Sequence, residues 1–366
     1  MKKEANIRYN RHLILPEVGP DGQEKLMNAR VLVIGAGGLG CPILSYLTAA
    51  GVGRIGIIDF DTVEISNLQR QVLFRTEDVG KLKATCAAKH LEKLNSLVQL
   101  DVYTERLTTK NALNLFEKYD LVIDGTDNFS TRYLVNDAAV LTDKPLVYGS
   151  IYKFQGQVSV FNYQNGPTYR CLFPTPPAPG EIPNCSEIGV IGVLPGIIGT
   201  QQANEAIKII LGIGEPLRGE LLIYDALNAH FTKVGLERNQ SAVEEVLNRR
   251  DSFLGYDYDL FCGITKNLEK GQIDPATLQQ SINQEGVLIV DLRESWEMPE
   301  LSGDNIRQLP MDTLEGHVEE LESADQVILV CQSGVRSAQM KTWLESNYQL
   351  KNLFELKGGV LALNEQ

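Results

Sequence analysis

Two short loops in this chain carry residue types able to hold an anion or a reactive sulfur. The first, Gly35-Ala-Gly-Gly-Leu-Gly40, follows the apolar run Val31-Leu-Val-Ile34. The second, Cys331-Gln-Ser-Gly-Val-Arg336, follows the apolar run Val327-Ile-Leu-Val330. Each reads as strand, loop and helix, with backbone N–H groups at the helix start available to negative charge. Gly35, Gly37, Gly38 and Gly40 permit a tight turn and let a phosphate approach the main chain. In the second loop the N–H groups and Arg336 favour a thiolate or persulfide on Cys331. One loop points to nucleotide chemistry and the other to covalent sulfur chemistry. A chain with both is expected to activate a substrate with ATP and then place sulfur on it.

The elements that must position these loops are legible in the hydrophobic pattern. Strand-like runs at 31–35, 54–59, 98–103, 121–124 and 145–149 alternate with helical patterns near 39–50, 78–95, 109–118 and 128–142. That alternation implies βαβ units and a Rossmann-like, mostly parallel sheet with helices on both faces. Alternating strands come next at 155–161 and 220–235, around a long helix from about Leu194 to Leu211. Residues 1–240 are therefore read as one domain. The charged, weakly patterned stretch 241–270 reads as a linker. Residues 271–366 read as a smaller α/β domain, with a helix near 275–283, strands at 287–291, 326–331 and 352–356, and a helix at 335–346.

A chain of 366 residues is long enough for two cores. Its net charge of −13 argues against a nucleic-acid surface. No apolar run has the length of a membrane span, and no signal-peptide core comes after Met1. The six cysteines are scattered rather than arranged as a disulfide framework, which fits a reducing cytoplasm.

The glycine loop alone does not choose between a nicotinamide dehydrogenase and an ATP enzyme. Asp59, at the end of the second strand, is placed to bind ribose hydroxyls in either case. Three segments beyond it decide between them. Asp59-Phe-Asp-Thr-Val-Glu-Ile-Ser-Asn-Leu-Gln-Arg-Gln71 leads to Gly80-Lys-Leu-Lys83, and then to Asp124-Gly-Thr-Asp-Asn128. Arg70 and Lys83 can neutralise phosphate oxygens, and the Asp127 carboxylate can hold Mg²⁺. A triphosphate needs such a set, whereas a nicotinamide has little use for it.

With Arg8-Tyr-Asn-Arg11, His12-Leu-Ile-Leu15 and the Thr126-Asp127-Asn128 turn, these segments resemble the MoeB/ThiF adenylyltransferases, bacterial relatives of the ubiquitin-activating enzymes, over residues 9–235 or so. The resemblance implies a homodimer that uses ATP and Mg²⁺ to adenylate the C-terminal glycine of a small ubiquitin-like sulfur-carrier protein. It implies that Asp59 binds ribose, that Asn67, Arg70 and Lys83 meet the phosphates, that Asp127 with neighbouring Asn128 serves the metal and nucleotide, and that Arg11 reaches into the partner subunit's site. It also implies a functional thiol at Cys185, in Pro183-Asn-Cys-Ser-Glu187, able to form a thioester or acyl disulfide with the carrier. Members of that family often bind structural zinc through two Cys-x-x-Cys pairs. Here those positions read Thr168-Tyr-Arg-Cys171 and Asp259-Leu-Phe-Cys262, one cysteine each. Tetrahedral zinc wants four sulfur or nitrogen ligands, so zinc is expected to be absent and the two cysteines to be plain thiols, close together.

The second loop, with Asp291-Leu-Arg-Glu294, Trp296-Glu297 and Leu356-Lys-Gly-Gly-Val360, resembles the rhodanese active site over 271–366. Six residues from Cys331 to Arg336 make a ring sized for a persulfide sulfur; one more would fit phosphate. The two resemblances together imply sulfur transfer through a Cys331 persulfide, from a donor such as a cysteine desulfurase, to give a carrier thiocarboxylate. Molybdopterin synthesis is the first expectation for the pathway, with thiamine thiazole or tRNA thiolation behind it. A nicotinamide oxidoreductase and a non-catalytic carrier-docking protein are the readings from other classes.

Overall fold

The structure, a computed structural model, describes residues 3–177, 189–264 and 268–364. Described residues up to Cys262 form one compact unit and those from Gly263 a second.

In the first unit, strands β1 (Arg30–Ile34), β2 (Arg54–Ile58), β3 (Gln99–Tyr103), β4 (Leu121–Asp124) and β5 (Leu146–Tyr152) run parallel, in the order β3-β2-β1-β4-β5. Three antiparallel strands extend the sheet: β6 (Gln155–Phe161), β7 (Glu220–Asp225) and β8 (His230–Gly235). Central strands buried on both faces are apolar throughout. In β1, Val31 and Val33 enter one core, with Leu44 and Leu47 of helix α1 (Gly40–Ala50). Leu32 and Ile34 point the other way, towards Tyr133 and Ala138 of helix α3 (Phe129–Leu141). The alternation is the period-two geometry of a strand. Helices α2 (Lys83–Leu94) and α4 (Val193–Leu211) complete the first face. Asn128 caps α3, its side-chain oxygen accepting from Thr131 N at 2.9 Å.

The chain reverses its progress across the sheet at β1. From β1 it steps outward to β2 and β3, then returns to β4 on the other side. In such sheets the crevice beyond the carboxyl ends of the two diverging strands is where ligands bind.

The stretch expected to be a linker is in large part folded. Residues 240–262 form helix α5 (Gln240–Asn248), a 3₁₀ turn (Arg250–Gly255) and a short helix (Tyr258–Phe261). Val243, Val246, Phe253 and Tyr258 are buried in the core beneath α3. Tyr258 Oη donates to Asp137 Oδ2 at 2.9 Å, and the same carboxylate receives a two-point pair from Arg170 at 2.7 and 2.8 Å. A hydrogen bond to a charged group contributes about 1.5–3 kcal/mol, so the Tyr258 bond ties the segment to α3.

The second unit has a parallel sheet in the order β11-β10-β12-β13-β9, made of β9 (Gln272–Ile273), β10 (Val287–Asp291), β11 (Ile306–Gln308), β12 (Gln326–Val330) and β13 (Leu353–Leu356). Helix α6 (Val335–Tyr348) comes after β12. Among the described residues no helix is long and apolar enough to cross a membrane.

Candidate active sites

The glycine loop leaves β1 through Gly35 and starts α1 at Gly40. A Cβ on Gly40 would lie 2.0 Å from Gly35 O, so only glycine closes this turn. Asp59, at the end of β2, holds the loop in place. Its carboxylate accepts from Ala36 N at 2.7 Å and from Asp61 N at 2.8 Å. Burial raises this carboxyl above the usual range, against the pull of Lys83 and the two N–H groups. Lys83, the first residue of α2, is buried, and its ammonium lies 3.0 Å from Asp61 Oδ2. Asp61 is a partner the sequence pattern did not single out.

Asn67 is buried and closes a capping box with Glu64, while Arg70 donates to Ser66 O at 3.2 Å and runs past Gly38. Beyond β4, Thr126 N and Oγ1 donate to Asp124 at 2.9 and 2.6 Å, which shapes the turn carrying Asp127 and Asn128. Both of these are exposed. The structure therefore gathers Gly35 to Gly40, Asp59, Asn67, Arg70, Lys83 and Asp127 at the carboxyl edge of β2, β1 and β4. It adds Gln71, whose buried Oε1 has no partner among the described residues and whose Nε2 faces Gly37.

Arg11 stands apart. It is exposed on a helical turn (Asn10–Leu13) whose His12 bonds Gln23, and Gln23 in turn bonds Ala50 O. That is the far end of α1, about 15 Å along the axis from Gly40. Cys185 lies outside the described residues.

The residues fit a nucleotide phosphate. There is room over Gly37, whose Cβ position has nothing nearer than Gln71 Nε2 at 3.7 Å. Around that space stand helix N–H groups, two cations and the Nε2 of buried Gln71, while its unpartnered Oε1 can accept only from a hydroxyl or N–H of the nucleotide. Magnesium is a different matter. Asp127 offers one carboxylate, and no group of three or more His, Cys, Asp or Glu residues is gathered among the described residues. An ion here would take its remaining oxygens from phosphate and water.

In the second site, Cys331 comes directly after β12 and is fully buried. Its sulfur accepts from Gly334 N at 3.1 Å and Ser337 N at 3.3 Å, and lies 3.4 Å from Ser337 Oγ. Gly334 takes φ +91°, and a Cβ there would meet Gly358 N at 2.9 Å. The turn after β13 braces the loop, with Val360 N donating to Cys331 O at 2.9 Å. Arg336, expected to favour an anionic sulfur, makes a two-point pair with Glu297, with Nη1 on Oε1 at 2.7 Å. Burial alone would raise the Glu297 carboxyl, but Arg336 and Glu294 N hold it below its usual range. Arg293, also buried, pairs with Asp291 at 2.7 and 2.8 Å and reaches Gln332 Oε1 at 3.1 Å, fixing the loop's second residue.

The remaining thiols are held differently. Cys41 is packed in the core and burial pushes it up to about 12. Burial also pushes up Cys86 and Cys262. Cys171 accepts from Thr168 N and, from 68 residues away, Asn239 N, both at 3.3 Å, so backbone N–H groups occupy it.

Comparison with known proteins bears on both sites. The ThiF family model matches residues 9–244. A sulfur carrier protein adenylyltransferase of Thermus thermophilus is 55% identical over 270 residues, spanning 72% of this chain and 98% of that one. The chain belongs to the ThiF family. The family match takes in every first-site residue from Arg11 to Cys185. The rhodanese-like domain model matches residues 274–366, which makes this a ThiF-family chain with a rhodanese-like domain. The same pairing is named in its full-length relatives. The probable adenylyltransferase/sulfurtransferase MoeZ of Mycobacterium tuberculosis is 42% identical across 100% of this chain and 94% of its own. The adenylyltransferase and sulfurtransferase MOCS3 of Dictyostelium discoideum is 38% identical across 100% and 96%. Among solved structures, Escherichia coli MccB with ATP superposes with a TM-score of 0.57 at 23% identity, over 64% of this chain and 72% of that one, which is a likeness of fold.

Proposed function

We propose that this ThiF-family protein adenylates the C-terminal glycine of a small ubiquitin-like sulfur carrier and converts it to a thiocarboxylate with sulfur carried on Cys331. The observation that carries this reading is a single chain matching both family models, with an ATP-type loop in one unit and a buried, N–H-ringed cysteine in the other. A carboxylate is a poor electrophile. Its attack on the α-phosphate of ATP forms an acyl-adenylate and releases pyrophosphate, and no protein nucleophile is required. The protein's task is to orient two anions and neutralise their charge.

In this reading Asp59 receives the ribose, while the N–H groups from Gly35 to Gly40 and Asn67, Arg70 and Lys83 hold the phosphates. Lys83 then exchanges Asp61 for phosphate. Asp127, beside Asn128, holds Mg²⁺, which supplies further charge neutralisation when bound. The protein works as a homodimer, with Arg11, remote from its own glycine loop, serving the partner's site. Cys185 takes the acyl group as a thioester, releasing AMP, before the terminal sulfur of the Cys331 persulfide attacks the acyl carbon and frees the Cys185 thiolate. A thiol reductant then attacks Cys331 Sγ, the S–S bond breaks with its electron pair leaving on the thiocarboxylate, and a second thiol resolves the disulfide left at Cys331. The persulfide comes from a protein donor such as a cysteine desulfurase. Zinc plays no part, and one equivalent of tightly bound zinc in the purified protein would overturn that point. Relatives named MOCS3 and MoeZ support molybdopterin synthesis as the pathway, ahead of thiamine thiazole or tRNA thiolation, and the working compartment is the cytoplasm.

The test is pyrophosphate exchange with each candidate carrier. Exchange that depends on an intact carrier C-terminus is expected. No exchange with any carrier, or exchange without one, would sink the proposal.

A further inference from the structure

The Cys331 ring contains a hydroxyl that has no part in the transfer as proposed. Ser337 lies in the first turn of α6 and is fully buried, as is Cys331. Its Oγ is 3.4 Å from Cys331 Sγ and 3.0 Å from Gly334 O. A hydroxyl has one proton to give. Donated to Gly334 O, it leaves a lone pair facing the sulfur, which suits a protonated thiol. Gly334 O does not depend on that bond, because Ala338 N already donates to it at 3.1 Å. The hydroxyl can therefore turn its proton to the sulfur without stranding a buried carbonyl.

We propose that Ser337 is a catalytic residue of the sulfur-transfer step, a rotating donor that accepts from the Cys331 thiol and donates to its thiolate and persulfide. This rests on Cys331 being the sulfur carrier. The Gly334 and Ser337 N–H groups point at the sulfur and can only donate to it. Ser337 Oγ is the one contact of the three that can reverse its polarity. Both residues are buried, and a hydrogen bond to a charged group is strong in such surroundings.

The step balances without an oxidant. The Cys331 thiolate attacks the outer sulfur of a donor persulfide, a new S–S bond forms at Cys331 and the donor's S–S bond breaks. The electron pair leaves on the donor sulfur, which takes up the proton Cys331 lost. The new persulfide anion, one atom further out, stays bonded through Sγ to the same ring.

The test uses the full chain with Ser337→Ala, and with Ser337→Thr to restore a hydroxyl. Alkylation of Cys331 by iodoacetamide is tracked against pH by peptide mass spectrometry, and persulfide formation from thiosulfate is tracked in parallel. Ser337→Ala should slow alkylation at neutral pH about tenfold, the worth of one hydrogen bond to a charged group, by shifting the profile upwards. Ser337→Thr should recover most of it. An unchanged profile in Ser337→Ala, with melting intact, overturns the proposal, as does a uniform loss of rate at all pH values. Failure of the unsubstituted chain to form any persulfide would instead overturn Cys331 as sulfur carrier, while the alkylation profiles would still decide Ser337.

Discussion

The two sites begin alike and end differently. Both leave the carboxyl end of a parallel strand, pass a glycine turn and start a helix. The first is then assembled from segments far apart in sequence, from Gly35 to Asp127, delivered by strand ends, a helix start and the 3₁₀ turn of Ile65–Asn67. It stays open on one side, with room over Gly37 and two exposed residues at Asp127 and Asn128. The second is seven consecutive residues, Cys331 to Ser337, folded back on their own sulfur, with the thiol buried. A triphosphate joined to a peptide tail needs many anchors spread over a sheet edge, and one sulfur atom needs a ring. Anion-binding backbone is common to both, and what surrounds it sets the size of the guest.

Cys331→Ser should divide the sites most sharply. Persulfide, read by mass spectrometry after thiosulfate, should vanish altogether, while carrier-dependent pyrophosphate exchange is unchanged. Arg70→Ala is the mirror experiment. Exchange should fall about 100-fold, the usual cost of removing one preorganised charge contact, with persulfide formation untouched. Exchange that survives would remove Arg70 from the phosphate site. Gln71→Leu should raise the KM for ATP about fivefold or more if its uncommitted amide meets the nucleotide, since one neutral hydrogen bond contributes about 1 kcal/mol. An unaltered KM would make Gln71 a packing residue.

The smallest effect belongs to the clamp beside the sulfur ring. Glu297→Gln should cost the second unit about 1 kcal/mol, because the pair is only partly buried. Its pH dependence has a definite sign. The Glu297 carboxyl sits below its unfolded value, so its contribution is complete above about pH 4.3 and fades as the pH falls through the depressed value. The difference in melting temperature between Glu297→Gln and the unsubstituted chain should therefore be greatest at neutral pH and shrink in acid. A constant difference would mean that the pair is not ionic.

The parallel strands and the glycine and cysteine loops are legible in the chain because continuous apolar runs and glycine turns are local signals. Helices 240–248 and 258–261 are not, because Glu244, Glu245, Arg249 and Asp259 mask a narrow apolar stripe that includes Val243 and Val246. Spacing assigns Arg336 to the neighbouring sulfur, whereas its carboxylate partner is 39 residues away. Lys83 stands out as a phosphate ligand, but its resting partner Asp61 does not. Spacing shows which residues can reach a strand end, and pairing there depends on side chains from distant segments.

The treatment of the other thiols has a consequence for a protein that stores sulfane sulfur. A persulfide is readily traded to any nearby thiolate, so a carrier with several reactive cysteines would scramble its own cargo. Burial takes the Cys41 thiol up to about 12, so at neutral pH it stays protonated. Cys86 and Cys262 are shifted the same way. Packing thus silences Cys41, Cys86 and Cys262 as competing acceptors as the core is built, so that in the reading proposed above sulfur entering at Cys331 meets fewer rivals.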